Sequence, residues 1–105
     1  MNTKRIVFRF KLHEDKVEDY VRIHDNIPDE LVALYKECGI LNISCFLSGQ
    51  YVICYQEFNM DIYPHKKHLI EQSEISKQFG ALLAPTEDKS ELIPDDNYVE
   101  CYLMK

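Results

Sequence analysis

Residues 5–12, Arg-Ile-Val-Phe-Arg-Phe-Lys-Leu, alternate along the chain. Ile6, Phe8, Phe10 and Leu12 share one face, and Arg5, Val7, Arg9 and Lys11 share the other, which predicts a first strand. From residue 13 to residue 27 the period becomes helical. Val17, Tyr20, Val21, His24 and Ile27 fall on one stripe, while Glu18, Asp19, Arg22 and Asp25 face away. Pro28 kinks or restarts this helix, with Asp29 and Glu30 near the positive end of the new segment. Leu31, Leu34, Tyr35 and Cys38 continue the apolar face, and Gly39 suits a left-handed cap.

Residues 40–47 and 50–58 read as two strands joined by a tight turn at Ser48-Gly49, an antiparallel hairpin. Both strands are apolar on both faces in their middle parts, so each face of the sheet calls for a cover. Residues 60–84 are helical but interrupted: Pro64 suits a helix start, and Ser73 can cap a second segment holding Ile75, Phe79, Leu82 and Leu83. Residues 85–96 form a polar loop, and residues 97–103 close with a fourth strand. The order is β-α-β-β-α-β, the ferredoxin-like α+β unit, an antiparallel sheet with helices on one face. The uncovered face calls for the sheet of a second copy, giving a homodimer in the form of a dimeric α/β barrel.

At 105 residues the chain reads as one domain spanning 1–105, without room for a separate cofactor module. Acidic residues outnumber basic ones 18 to 12, for a net charge of −6. That balance argues against nucleic acid and anionic membranes as partners, since both require clustered Lys and Arg. No apolar stretch approaches the ~18 residues of a membrane span. The N-terminus runs straight into the first strand pattern rather than into a signal peptide, so a cytoplasmic location is expected.

Cys38, Cys45, Cys54 and Cys101 contain no C-x-x-C pair. They are expected as reduced, buried, redox-inert residues, although Cys45 and Cys54 fall on adjacent strands. Their spacing to His65 and His68 is poor for zinc, so a metal site is not expected.

His24 lies near the centre of the first helical stripe. Tyr20 and His24 are an i,i+4 pair, so their side chains are neighbours aimed at the sheet. An imidazole titrates near neutral pH, at about 6.5 when unperturbed, and can serve as acid or base. The competing reading makes His24 a core residue bonded to a backbone carbonyl and Tyr20 a core aromatic. His13 sits beside the helix start, and His65 and His68 flank two lysines on a solvated face. Glu57, near the end of the third strand, faces either the pocket as an acceptor or solvent. The chain has 7 tyrosines and 5 phenylalanines, the kind of surface that grips sugar rings, though aromatics at strand spacing usually form core.

These residues, in this order, resemble the L-rhamnose mutarotase family. Its first helix carries Tyr-x-x-x-His followed by a hydrophobic residue and Glu-Leu; here that run is Tyr20 to His24, Ile27, Glu30 and Leu31. Its Gly-x-x-Asn entry to the second strand is matched by Gly39 and Asn42, its acidic third-strand end by Glu57, and its last strand loosely by Cys101-Tyr102-Leu103. The resemblance implies a small cytosolic dimer that interconverts the α and β pyranose anomers of a free aldose, L-rhamnose or a related deoxy sugar, without metal or cofactor. It implies His24 as proton donor and Tyr20 as its pocket partner. The family's sugar-packing Trp-Trp pair is Phe79-Gly80 here, and its sugar-binding Tyr is Ile43. Substrate-binding positions are then Tyr20, Ile43, Phe79 and Gly80.

Two other classes suit the same scaffold, because this fold hosts unrelated functions. One is a non-catalytic ligand-binding or regulatory dimer; the other is a cofactor-free oxygenase with a larger aromatic cavity. The discriminating feature is whether Tyr20 and His24 line an open polar pocket or are sealed in core.

Overall fold

A computed structural model describes residues 1–91 and 98–105. Strand β1 (Thr3–Lys11) leads through a short 3-10 turn to helix α1 (Val17–Asp25). Helix α2 (Asp29–Glu37) follows, then strands β2 (Ile40–Ser48) and β3 (Tyr51–Asn59), and helices α3 (Tyr63–Gln72) and α4 (Glu74–Leu83). Pro28 is the N-cap of α2, which separates it from α1 as expected. The Ser73 side chain accepts from the Ser76 amide, a cap that separates α3 from α4.

The sheet is antiparallel in the order β1-β3-β2, so β3 is its centre. Alternation sends Phe8 and Phe10 of β1, Val52, Cys54, Gln56 and Phe58 of β3, and Ile43, Cys45 and Leu47 of β2 to one face. The helices pack there. Leu12, Tyr20 and Val52 are buried together, with Phe10, Val17 and Leu83 against them. Leu31, Cys38, Phe58 and Phe79 are buried as well. The opposite face carries Arg5, Val7, Arg9, Ile53, Tyr55 and Phe46. Phe46 is 62% exposed, so the cover expected for this face is not supplied by the helices of the chain itself.

Two glycines meet backbone requirements. Gly39 has φ 91°, and a Cβ there would come within 3.0 Å of Ile62 Cβ and 3.1 Å of the Asn59 carbonyl oxygen. That close approach lets Gly39 O accept from Asn59 N at 2.7 Å, which ties the end of α2 to the end of β3. Gly49, at φ 61°, opens a two-residue Gly49-Gln50 turn between paired Ser48 and Tyr51, as a II′ hairpin turn requires. The turn thus lies one residue later than the expected Ser48-Gly49.

The fourth strand expected over 97–103 does not form among the described residues. Asn97 lies outside them, and residues 98–103 have no ladder partner. The reason is visible at Glu100, whose carboxylate accepts from Arg5 Nε at 2.9 Å and Nη2 at 3.1 Å. Arg5 points to the face away from the helices, so this bidentate pair draws the segment toward that face and not along the free edge of β1.

Candidate active site

The helical stripe anticipated from the sequence delivers Tyr20 and His24 to the sheet side of α1. Tyr20 is buried against Phe10, their rings edge to face with centroids 5.8 Å apart. His24, half-buried, lies over Tyr20 with ring centroids 4.4 Å apart, and its other side meets Phe79 of α4 edge to face at 5.5 Å. His24 Nδ1 is 3.2 Å from the Tyr20 carbonyl oxygen. A carbonyl only accepts, so Nδ1 carries the proton in that bond, and Nε2 is left as the nitrogen that can exchange one.

The ring pair lines a cavity of about 920 Å³. Both readings of His24 therefore hold in part: it bonds a backbone carbonyl, and it faces an open pocket. The remaining sequence-predicted positions, Ile43, Phe79 and Gly80, line the same cavity. Ile43 comes from β2, and Phe79 and Gly80 come from α4. Among the described residues, no heavy atom lies within 4 Å of where a Cβ on Gly80 would stand, which leaves that point of the wall open.

Among the cavity residues that the sequence reading missed are Cys45, Cys54, Gln56 and Glu87. Cys45 on β2 and Cys54 on β3 are register partners, with sulfurs 2.7 Å apart. All four cysteines are free, but Cys45 and Cys101 are exposed rather than buried as expected. The hydrogen bond from Cys54, helped by one from the Tyr20 hydroxyl, outweighs burial and pulls the Cys45 thiol down to about 7. The same bond and burial push Cys54 far up. Burial, then the charge of Cys45, holds Tyr20 well above the ordinary phenol range, so it remains a protonated donor.

Glu57 is not a pocket acceptor. It pairs with Arg5 and Asn42 in the sheet, and its carboxylate accepts from Tyr55 at 2.8 Å on the opposite face. Its neighbour Gln56 faces the cavity. The signal was present in the sequence: Val52, Cys54, Gln56 and Phe58 share one parity, and Glu57 has the other. His13, His65 and His68 are exposed and away from the cavity. Among the described residues no cluster of three or more His, Cys, Asp or Glu is arranged to hold a metal, and no helix is long and apolar enough to cross a membrane.

A family model described as L-rhamnose mutarotase matches residues 5–100. The chain belongs to that family. A curated L-rhamnose mutarotase from Sinorhizobium medicae (strain WSM419) is 40% identical over 47 residues. That match covers 45% of this chain and 45% of the relative, so it spans less than half the relative's length. The crystal structure of an L-rhamnose mutarotase from Formosa agariphila superposes with a TM-score of 0.72 at 21% identity, covering 97% of this chain and 99% of the other. A provisionally named antibiotic biosynthesis monooxygenase from Caulobacter crescentus CB15 superposes at 0.61 with 20% identity, covering 93% of this chain and 91% of the other. At these identities the structural likeness establishes the ferredoxin-like fold, which mutarotase and monooxygenase share; the family model separates them. The family resemblance drawn from Tyr20, His24 and the Gly39-to-Asn42 run is thereby borne out.

Proposed function

We propose that this chain interconverts the α and β anomers of a free aldose, L-rhamnose or a related deoxy sugar, with His24 and Tyr20 as its catalytic pair. The observation that carries the reading is the His24 ring, anchored through Nδ1 and stacked on Tyr20 at the wall of a monosaccharide-accommodating cavity. Mutarotation requires a proton delivered to the ring oxygen and one removed from the anomeric hydroxyl. The C1–O5 bond then breaks, the aldehyde turns, and the ring recloses on the other carbonyl face. His24, in the form with both ring nitrogens protonated, donates from Nε2 to the ring oxygen and keeps the Nδ1 proton on the Tyr20 carbonyl. Tyr20, held protonated, hydrogen-bonds to the sugar. Two carboxylates, Asp25 and Glu87, stand on the cavity wall; Glu87, whose charge Tyr20 feels, is the one that takes the hydroxyl proton. Proton transfer of this kind needs neither metal nor cofactor.

Ile43, Phe79 and Gly80 supply an apolar, partly open wall, which suits a sugar face lacking a hydroxyl. The functional unit is a homodimer in the cytoplasm, and nucleic acid is not among its partners. The sheet face away from the helices, where Val7, Ile53 and Tyr55 are half-buried and Phe46 is exposed, supports the dimer. Sedimentation should give twice the chain mass at micromolar concentration, and a stable monomer would remove this part of the reading. Saturation-transfer NMR with a panel of reducing sugars tests the activity. Irradiating the α-anomer signal of L-rhamnose or a deoxy relative should attenuate the β signal only when protein is present. A folded protein that exchanges no sugar of the panel overturns the proposal.

A further inference from the structure

We infer that Cys45 and Cys54 form a hydroperoxide-sensitive dithiol site in the wall of the sugar cavity, one whose oxidation slows the reaction proposed above. The regulatory part rests on that mutarotase reading; the thiol chemistry does not.

Three observations converge on the pair. The two residues are direct partners in the β2–β3 register, so the backbone holds them side by side without help from any loop. Their sulfurs stand 2.7 Å apart and need to close only to about 2.05 Å to bond. Cys45 is exposed where the cavity opens, while Cys54 is buried beneath it. This is the division of labour that a reactive thiol and its resolving partner require. The hydrogen bonds converging on Cys45 favour its thiolate near neutral pH, the form that reacts.

The steps balance. The Cys45 thiolate attacks one oxygen of hydrogen peroxide, the O–O bond breaks, and hydroxide leaves, giving Cys45 sulfenic acid. The Cys54 thiol attacks that sulfur, the S–O bond breaks, and water leaves as the disulfide forms. The two cysteines lose two electrons and two protons, and peroxide is reduced to two waters. A dithiol reductant reverses the change by exchange.

The consequence for the cavity passes through Tyr20. Tyr20, Cys45 and Cys54 line the same cavity wall, so a disulfide takes from beside the Tyr20 hydroxyl two sulfurs that can accept or donate a hydrogen bond. Loss of one such hydrogen bond, about 1 kcal/mol, corresponds to about fivefold slower exchange.

The test uses the full chain carrying Cys101→Ser, which removes the exposed tail thiol. After treatment with hydrogen peroxide the intact mass should fall by two hydrogens. Non-reducing digestion should link the peptides holding Cys45 and Cys54, and dithiothreitol should restore both thiols. In Cys54→Ser, Cys45 should stop at sulfenic acid and be trapped by dimedone; in Cys45→Ser no disulfide should form. Stepwise gain of oxygen at Cys45 with no linked peptide would overturn the dithiol site, as would two thiols that stay unreacted while a small-molecule thiol is consumed. Anomer exchange on the same samples should fall about fivefold on oxidation and return on reduction. Equal rates in both forms would overturn the regulation. If neither form exchanges any sugar while the linked peptide forms, the mutarotase reading fails and the dithiol site stands.

Discussion

His24 is held by the residue one helical turn before it: its ring lies on the ring of Tyr20 at 4.4 Å, and its Nδ1 meets the Tyr20 carbonyl at 3.2 Å. One residue thus sets both the plane and the tautomer of the imidazole. The ring needs no partner from a distant loop to present Nε2, and its orientation survives as long as α1 does.

Replacing His24 by Ala removes the exchanging nitrogen but no main-chain bond of α1. Anomer exchange should drop by ~10²–10⁴-fold, while the melting temperature changes by only a few degrees. Calorimetry and saturation-transfer NMR on one sample separate the two effects. A destabilised variant that retains its rate per folded molecule would make His24 a core residue. Tyr20→Phe keeps the stacked ring and the carbonyl and should cost about fivefold in rate.

Gln56 and Glu57 are adjacent in sequence and opposite in consequence. Gln56→Ala should raise KM for the sugar several-fold, because it removes an amide from the cavity wall. Glu57→Ala breaks only the Tyr55 bond on the far face and should leave steady-state kinetics unchanged. Exchange rates measured over a range of sugar concentrations decide the matter, and the reverse pattern would mean that β3 presents its other face to substrate.

That pair also shows how far the site was legible before the structure. Tyr20 and His24 were accessible because helical periodicity carries them to a stripe that has only one place to go; Phe79 came as a site position through the family resemblance. Gln56 was equally accessible by strand parity, but a carboxylate drew attention to Glu57. The Cys45–Cys54 contact was harder. With a turn at Ser48-Gly49, Cys45 would oppose Val52; moving the turn to Gly49-Gln50 keeps every face but slides the partner by two, onto Cys54. Turn position depends on which residue takes the positive φ, and Gly49 takes it at the first turn position instead of the second. The tail alternates like a strand, yet the Arg5–Glu100 pair commits it elsewhere, and no local pattern announces a contact 95 residues distant.

Gly80→Ala should stabilise the protein by about 1 kcal/mol, since glycine within a helix costs that much relative to alanine and the added methyl meets nothing within 4 Å. The melting temperature should rise by about 4 °C or more, read by circular dichroism. An unchanged or lower value would show that the space beside Gly80 is filled.

Cys45 should alkylate with a midpoint near pH 7 in the folded protein. The thiolate is the nucleophile, and the Cys54 and Tyr20 hydrogen bonds lower its pKa to about 7 from the ordinary value of 9.0. Reactivity is therefore full above the ordinary value and is lost as pH falls through about 7. Iodoacetamide labelling followed by peptide mass analysis gives the profile; in urea the midpoint should move up toward the ordinary thiol value. A folded-state midpoint at 9.0 would mean that the neighbouring donors do not reach the sulfur.

Leu41 is the extra residue where β2 begins: Ile40 opposes Phe58 and Asn42 opposes Glu57, leaving Leu41 without a partner of its own. Removing Leu41 leaves Ile43, Cys45 and Leu47 with the partners they already have, whereas removing any one residue from 43 to 47 moves part of the strand to the wrong side of the sheet. Length variation among related chains is therefore tolerable at this one point of β2 and nowhere further along it. An added or missing residue near position 41 would mark a relative with the same cavity, and one in the middle of the strand would mark a relative with a different one.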